Sequence, residues 1–247
     1  MKTRSKILFL DIETAPNLVH TWGFYEQNVI EVVEQWYILC FAYKWLGEKT
    51  QVVALPDFEN YKPGMKDENL TPKLREILDQ ADIIVAQNGD RFDIPKINTR
   101  LIQHKLQPPS PYQTVDTLKA ARKFAFNSNK MDNLGRDLGE GRKVNTGGFG
   151  LWKKCMAGDQ KAWARMKRYN KQDVDLLERL YLRLRPWIKN HPNVHDRGGC
   201  PKCGSTRLTM RGRAISKTME YIRYQCQGCG GWSRSAKGER IPATVNA

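Results

Sequence analysis

The run ILFLDIETAP, residues 7–16, has the composition of a buried strand, yet it carries two carboxylates, Asp11 and Glu13. Residues two apart in a strand share a face. Ile7, Phe9, Asp11 and Glu13 therefore line one side that begins apolar and ends acidic. Adjacent carboxylates raise each other's cost of ionisation. A hard divalent cation such as magnesium or manganese, which takes carboxylate oxygens, removes that cost. The alternative is that both acids sit at an exposed strand end. Two later segments bear on the choice. QNGDRFD, residues 87–93, places Asn88, Phe92 and Asp93 at a strand-to-helix turn, with Phe92 expected to anchor the turn in the core and Asp93 to point outward. The same residue types also suit an ordinary turn, and Asp90 stands as a second candidate acid. In YNKQD, Tyr169 and Asp173 are four apart on a helical segment and so share a face, beside an apolar stripe of Leu176, Leu177, Leu180 and Leu184. The alternative there is a Tyr at a core edge and a solvated Asp.

A second set of candidates is sulfur-based. CPKCG and CQGCG give two C-x2-C pairs, Cys200/Cys203 and Cys226/Cys229, separated by 22 residues. Four thiolates suit a closed, tetrahedral, structural zinc site. Disulfides are the competing reading, disfavoured where thiols stay reduced. Gly204 and Gly230 follow each pair and permit tight knuckle turns. Cys40 and Cys155 stand alone in apolar or helical contexts and are read as packing residues.

The elements that must position these groups follow from pattern. KILFLDIET reads as a central strand, and WYILCFAYKWLG and KTQVVALPD as two more joined by a turn near Gly47. TPKLREILDQA is an amphipathic helix with Thr71 as N-cap and Pro72 at its first position. DIIVAQNG is a strand, FDIPKINTRLIQHKL a helix from about Pro95, and YQTVDT a last strand before a helix from about Leu118. GEGRKVNTGGFG lacks the order of a phosphate loop and reads as a flexible connection. A long helix follows, capped by Asp159 and stopped near Pro186, and KNHPNVHDRGG reads as a linker. Strands followed by strand–helix alternation describe an α/β fold with a mixed sheet. The expected domains are 1–190 and 191–247.

The chain's 247 residues allow a sizeable core plus an appendage. A net charge of +15 favours a polyanionic partner, most simply nucleic acid. The density is highest from His191 onward, with ten Lys/Arg against three Asp/Glu. No apolar run reaches the roughly 20 residues of a membrane span, and Ile7–Leu10 is too short for a signal peptide. No membrane association and a cytoplasmic location are expected.

In order, DIE, NGDRFD and YNKQD resemble the three motifs of the DEDD superfamily of metal-dependent 3′–5′ exonucleases, and Tyr169 points to its tyrosine-bearing (DEDDy) subgroup. That subgroup includes the proofreading domains of family B DNA polymerases and RNase D type enzymes. The resemblance covers about residues 5–188 and extends, through VDTLKAARKF and MDNLGRDLG, to stand-alone phage and bacterial relatives. It implies an RNase H-like mixed sheet flanked by helices, a bacterial or phage-infected cytoplasm, and two magnesium or manganese ions. Asp11 would bridge them, Glu13 and Asp173 would complete the nucleophile-side ion, and Asp93 would hold the other. Tyr169 would orient the attacking water and help remove its proton. Asn88 would contact the terminal nucleotide, and Thr14 and the chain after it would floor the 3′ end, with Phe92 nearby. The Cys pairs resemble a zinc ribbon holding one structural zinc.

The expected substrate is single-stranded or frayed DNA, or RNA. Trp22, Phe24 and Tyr25 are expected in the core, with base stacking as the alternative. Lys153, Lys154, Lys161, Arg165, Lys167, Arg168 and Lys171 make either a solvated helix face or a backbone track. Arg207, Arg211, Arg213, Arg223 and Arg234 with Tyr221, Tyr224 and Trp232 suit nucleic acid or a replication or repair protein. The alternatives to an exonuclease are an inactive RNase H-like binding protein acting through its ribbon, and an enzyme that cuts internally.

Overall fold

The computed structural model describes residues 5–25, 28–144, 146–195 and 198–241. The chain divides into two compact units, Lys6–Leu180 and Met1–Ser5 with Tyr181–Ala247. This boundary lies about ten residues before the expected 190.

In the first unit the strands are β1 (Ile7–Thr14), β2 (Leu18–His20), β3 (Glu31–Glu34), β4 (Ile38–Trp45), β5 (Gln51–Ala54), β6 (Ile83–Ala86) and β7 (Gln113–Asp116). The helices that begin in it are α1 (Leu70–Leu78), α2 (Asp93–Gln103), α3 (Thr117–Ala121), α4 (Met131–Asp137), α5 (Gly150–Met156) and α6 (Gln160–Leu184). Five strands form one mixed sheet in the order β5-β4-β1-β6-β7. β1 pairs antiparallel with β4 and parallel with β6. The sheet is covered, and its central strands read as continuous apolar runs for that reason. Leu8, Phe9 and Leu10 of β1, Phe41 of β4 and all four residues of β6 are buried. Cys40 and Cys155 are buried too, as packing residues should be. β2 and β3 stand apart as a two-stranded arm.

Several boundaries differ from the sequence expectation. Helix α1 starts at Leu70, and Thr71 is not its cap. The Thr71 hydroxyl instead donates to the Asp67 carbonyl at 2.8 Å, three residues before the helix begins. Asp67 is itself fully buried. A buried carboxylate needs partners, and Arg100, His104 and the Ile38 backbone N–H supply them. Helix α2 starts at Asp93, two residues before Pro95. Asp116 caps α3 by accepting from Leu118 and Lys119 N–H. Asp159 does cap α6, through Ala162 N–H at 3.0 Å.

In the second unit, β8 (Leu208–Ile215), β9 (Met219–Cys226), β10 (Trp232–Arg234) and β11 (Glu239–Arg240) form one antiparallel sheet around β9. The segment expected to be a linker is part of this unit. His191 and Val194 are buried, and His191 Nε2 lies 2.7 Å from the Tyr181 hydroxyl. Its Nδ1 lies 2.7 Å from the Pro192 carbonyl, which can only accept. Neutral His191 therefore donates from Nδ1 and accepts from Tyr181 at Nε2. Among the described residues no helix is long and apolar enough to cross a membrane.

Candidate active site

Strand β1 delivers Asp11 opposite Ala42 and Glu13 opposite Cys40 of β4. Helix α6 delivers Asp173, which is 1% exposed. Ligand oxygens of Asp11, Glu13 and Asp173 all lie within 4.8 Å of one another. The electrostatics match this crowding. Burial, and then the charges of Glu13, Asp93 and Asp173, push the Asp11 carboxyl well above its ordinary range. Burial and Asp173 push Glu13 up to about 8, against Lys143 and a hydrogen bond from Trp152. Burial raises Asp173 as well, opposed by Lys143 and Tyr169.

Asp93 stands beside this group and is not one of the three clustered acids. It is 3% exposed, and its Oδ1 accepts from the Ile12 backbone N–H at 3.1 Å. Burial carries it to about 7 despite that hydrogen bond. The turn before it is inverted relative to expectation: Phe92 is 40% exposed and Asp93 points inward. Helix α2 begins at Asp93, so Phe92 occupies its N-cap position outside the helix, where the Lys96 ammonium lies 5.1 Å from its ring. Asp90 is drawn elsewhere: Lys119 Nζ holds it at 2.6 Å. Burial alone would raise its carboxyl, but hydrogen bonds from Lys119 and Thr114 keep it lowered. Asn88 occupies the left-handed region at φ 63°, and its N–H donates to Asp116 at 3.0 Å. Its backbone builds the turn.

Tyr169 packs edge-on against Trp152, with ring centroids 6.2 Å apart. Burial and the neighbouring Asp173 and Glu13 raise its hydroxyl above the ordinary range. Its hydroxyl thus lies among the clustered acids, placed to orient an oxygen held there.

Three contributors escaped the sequence reading. Lys143 comes from the glycine-rich segment read as a flexible connection. Its Nζ lies 2.6 Å from Asp173 Oδ2 and 5.1 Å from the Tyr169 ring centroid. Asn170, fully buried, donates from Nδ2 to Asp11 Oδ2 at 2.6 Å and fixes that carboxylate. Lys96 donates to the Thr14 hydroxyl at 3.4 Å and stacks over Trp36 at 3.8 Å. The position of Asn170, between Tyr169 and Asp173, could have flagged it. The sequence carries no local signal for the other two.

Thr14, next to Glu13, lines a cavity of about 630 Å³ whose wall includes Ala15, Asn17, Trp36, Lys96, Phe149 and Trp152. Trp22, Phe24 and Tyr25 are not core residues. They are almost fully exposed, between β2 and β3, because that arm leaves the sheet before their rings can be covered. In the basic run, Lys171 is paired with Asp175 at 2.7 Å and Lys167 with Asp57, whereas Lys153, Lys154, Lys161 and Arg168 are exposed.

The cysteine site is in the second unit. The sulfurs of Cys200 and Cys229 are 3.8 Å apart, and those of Cys203 and Cys226 are 3.6 Å apart. Zinc–sulfur bonds of about 2.3 Å in a tetrahedron require about 3.8 Å between sulfurs, so the set fits a metal, and the sheet and cluster together fit a zinc ribbon. Gly204 and Gly230 both adopt φ 76°, and their N–H groups donate to the Cys200 and Cys226 carbonyls. The two knuckles are thus built alike.

A structure of the family B DNA polymerase from the hyperthermophilic archaeon Pyrobaculum calidifontis is similar to this chain, with a TM-score of 0.56 and 15% identity over 75% of it. The chain spans 25% of that polymerase. At this identity the likeness establishes a shared fold. A search of curated protein sequences finds no match. The family model of the RNase_H superfamily matches residues 8–185. That span is well over half of the chain and contains Asp11, Glu13, Asp93, Tyr169 and Asp173, and the chain therefore belongs to the RNase_H superfamily.

Proposed function

We propose that the protein is a metal-dependent 3′–5′ exonuclease acting on single-stranded or frayed DNA. The observation that carries this reading is the convergence of Asp11, Glu13 and Asp173 to within 4.8 Å, where burial disfavours the charged form of all three and neighbouring carboxylates add to this at Asp11 and Glu13. An all-oxygen donor set suits magnesium or manganese, held by these three acids with Asp93 alongside. Bound there, such ions supply Lewis acidity that generates the nucleophile and balances charge on the phosphate oxygens. The polarity of cleavage rests on the order of the three motifs and their resemblance to DEDDy enzymes.

The protein's own groups then have distinct tasks. Asn170 holds the Asp11 carboxylate in place. The Tyr169 hydroxyl, beside Asp173 and Glu13, orients the attacking water. Lys143 brings a positive charge to the same corner, where negative charge accumulates as the phosphodiester is attacked. The cavity beside Thr14 receives the terminal nucleotide, with Trp36, Phe149 and Trp152 as apolar walls and Lys96 as its cation. The test is an oligonucleotide labelled separately at each end, with magnesium or manganese. Stepwise loss of the 3′ label as mononucleotide is expected. Release of the 5′ label first, or internal cuts alone, contradicts the reading.

A further inference from the structure

The sheet of the cysteine unit separates its charges by face. Two cross-strand pairs in it are like-charged: Glu239 lies opposite Glu220, and Arg234 opposite Arg223. Like charges directly opposite one another destabilise a sheet. The acidic pair is relieved from within, because Arg213 reaches Glu220 at 2.8 Å and Glu239 at 3.9 Å. These are the only acids in β8–β11. The arginine pair has no acidic partner among the described residues.

The arginines are ordered all the same. The Arg234 guanidinium lies 3.6 Å from the centroid of Tyr221, and that of Arg223 lies 5.1 Å from Trp232. Arg223 Nε also donates to the Arg211 carbonyl at 2.9 Å. Strand alternation puts Tyr221 and Arg223 on one face of β9, and register adds Trp232 and Arg234 from β10 and Arg240 from β11. The result is an interleaved array of guanidinium and aromatic planes. It carries three arginines and no acid, and Trp232 remains 45% exposed.

We propose that this face binds single-stranded nucleic acid. Backbone phosphates supply the counter-ions that the Arg223–Arg234 pair lacks. Trp232 offers a plane on which unpaired bases stack, and a duplex does not present such bases. The proposal is independent of the cleavage reading, since it concerns binding alone.

The test uses the full chain carrying Asp11→Asn, without added divalent metal, so that no substrate is consumed. Fluorescence anisotropy with an oligothymidylate of about 30 nucleotides gives affinity across a salt series, and zinc content checks that each variant keeps its fold. Adding Arg223→Gln, Arg234→Gln and Arg240→Gln together is expected to weaken binding roughly tenfold or more, and to reduce the slope of log K against log salt by about 2, the value for three phosphate contacts on a single strand. Trp232→Ala is expected to cost roughly fivefold to a hundredfold, as lost stacking does, with the slope unchanged. Unchanged affinity and slope in the arginine variant overturn the proposal. So does equal affinity for a duplex of the same length, or for polyglutamate; the latter would identify the face as a dock for an acidic protein.

Discussion

Lys143 Nζ stands 2.6 Å from Asp173 Oδ2. This contact carries a glycine-rich loop onto the acidic cluster and places an ammonium beside both Asp173 and Tyr169. Burial works against that charge, but Asp173 and Tyr169 outweigh it and hold the lysine firmly protonated.

Removing the charge should therefore affect chemistry more than folding. Lys143→Ala is expected to lower the maximal cleavage rate on the order of a hundredfold at saturating metal. The metal concentration giving half-maximal rate should fall, because a competing cation has left Asp173. An unchanged maximal rate would show that Lys143 only neutralises the cluster.

Tyr169→Phe keeps the ring and its packing on Trp152 and deletes only the donor. The turnover number is expected to fall roughly tenfold to a hundredfold, while KM and thermal stability stay near wild type. A rise in KM at constant turnover number would instead assign Tyr169 to substrate binding.

A pH effect is expected in the second unit. Burial lowers His191 from 6.5 to about 4 in the folded protein. Between those values the unfolded state binds the extra proton and the folded state does not, so stability is kept above about 6.5 and lost as pH falls toward 4. The loss from this one group reaches at most about 3 kcal/mol. His191→Gln should flatten this part of the stability profile. Comparing both proteins at each pH, by calorimetry or denaturant titration, cancels the shared effect of thiol protonation at the cysteine site. Parallel profiles would show that His191 does not titrate on unfolding.

The parts of this site that could be read in the sequence are those fixed by local periodicity. Asp11 and Glu13 are two apart on a strand, Tyr169 and Asp173 four apart on a helix, and the cysteines are paired at a knuckle spacing; each spacing dictates a common face or turn. The misreadings arise where tertiary packing decides. Starting α2 two residues earlier reversed the roles of Phe92 and Asp93. Lys143 lies 30 positions from Asp173 in a segment whose glycines promise only flexibility, and only the buried acids across the fold give its ammonium a place to go. Trp22, Phe24 and Tyr25 have core-forming side chains but sit on an arm that the sheet does not cover.

The central claim is that Asp11, Glu13 and Asp173 hold the catalytic metal. It is tested most directly by the rate of mononucleotide release from a 3′-labelled single strand by Asp11→Asn, compared with wild type at saturating manganese. Asn has nearly the same shape and keeps a carbonyl facing Asn170 Nδ2, so the variant should fold with its thermal stability near wild type. A fall in rate on the order of a thousandfold or more is expected, since a ligand charge has been removed from the metal. Cleavage within a few-fold of wild type by the folded variant would contradict the account.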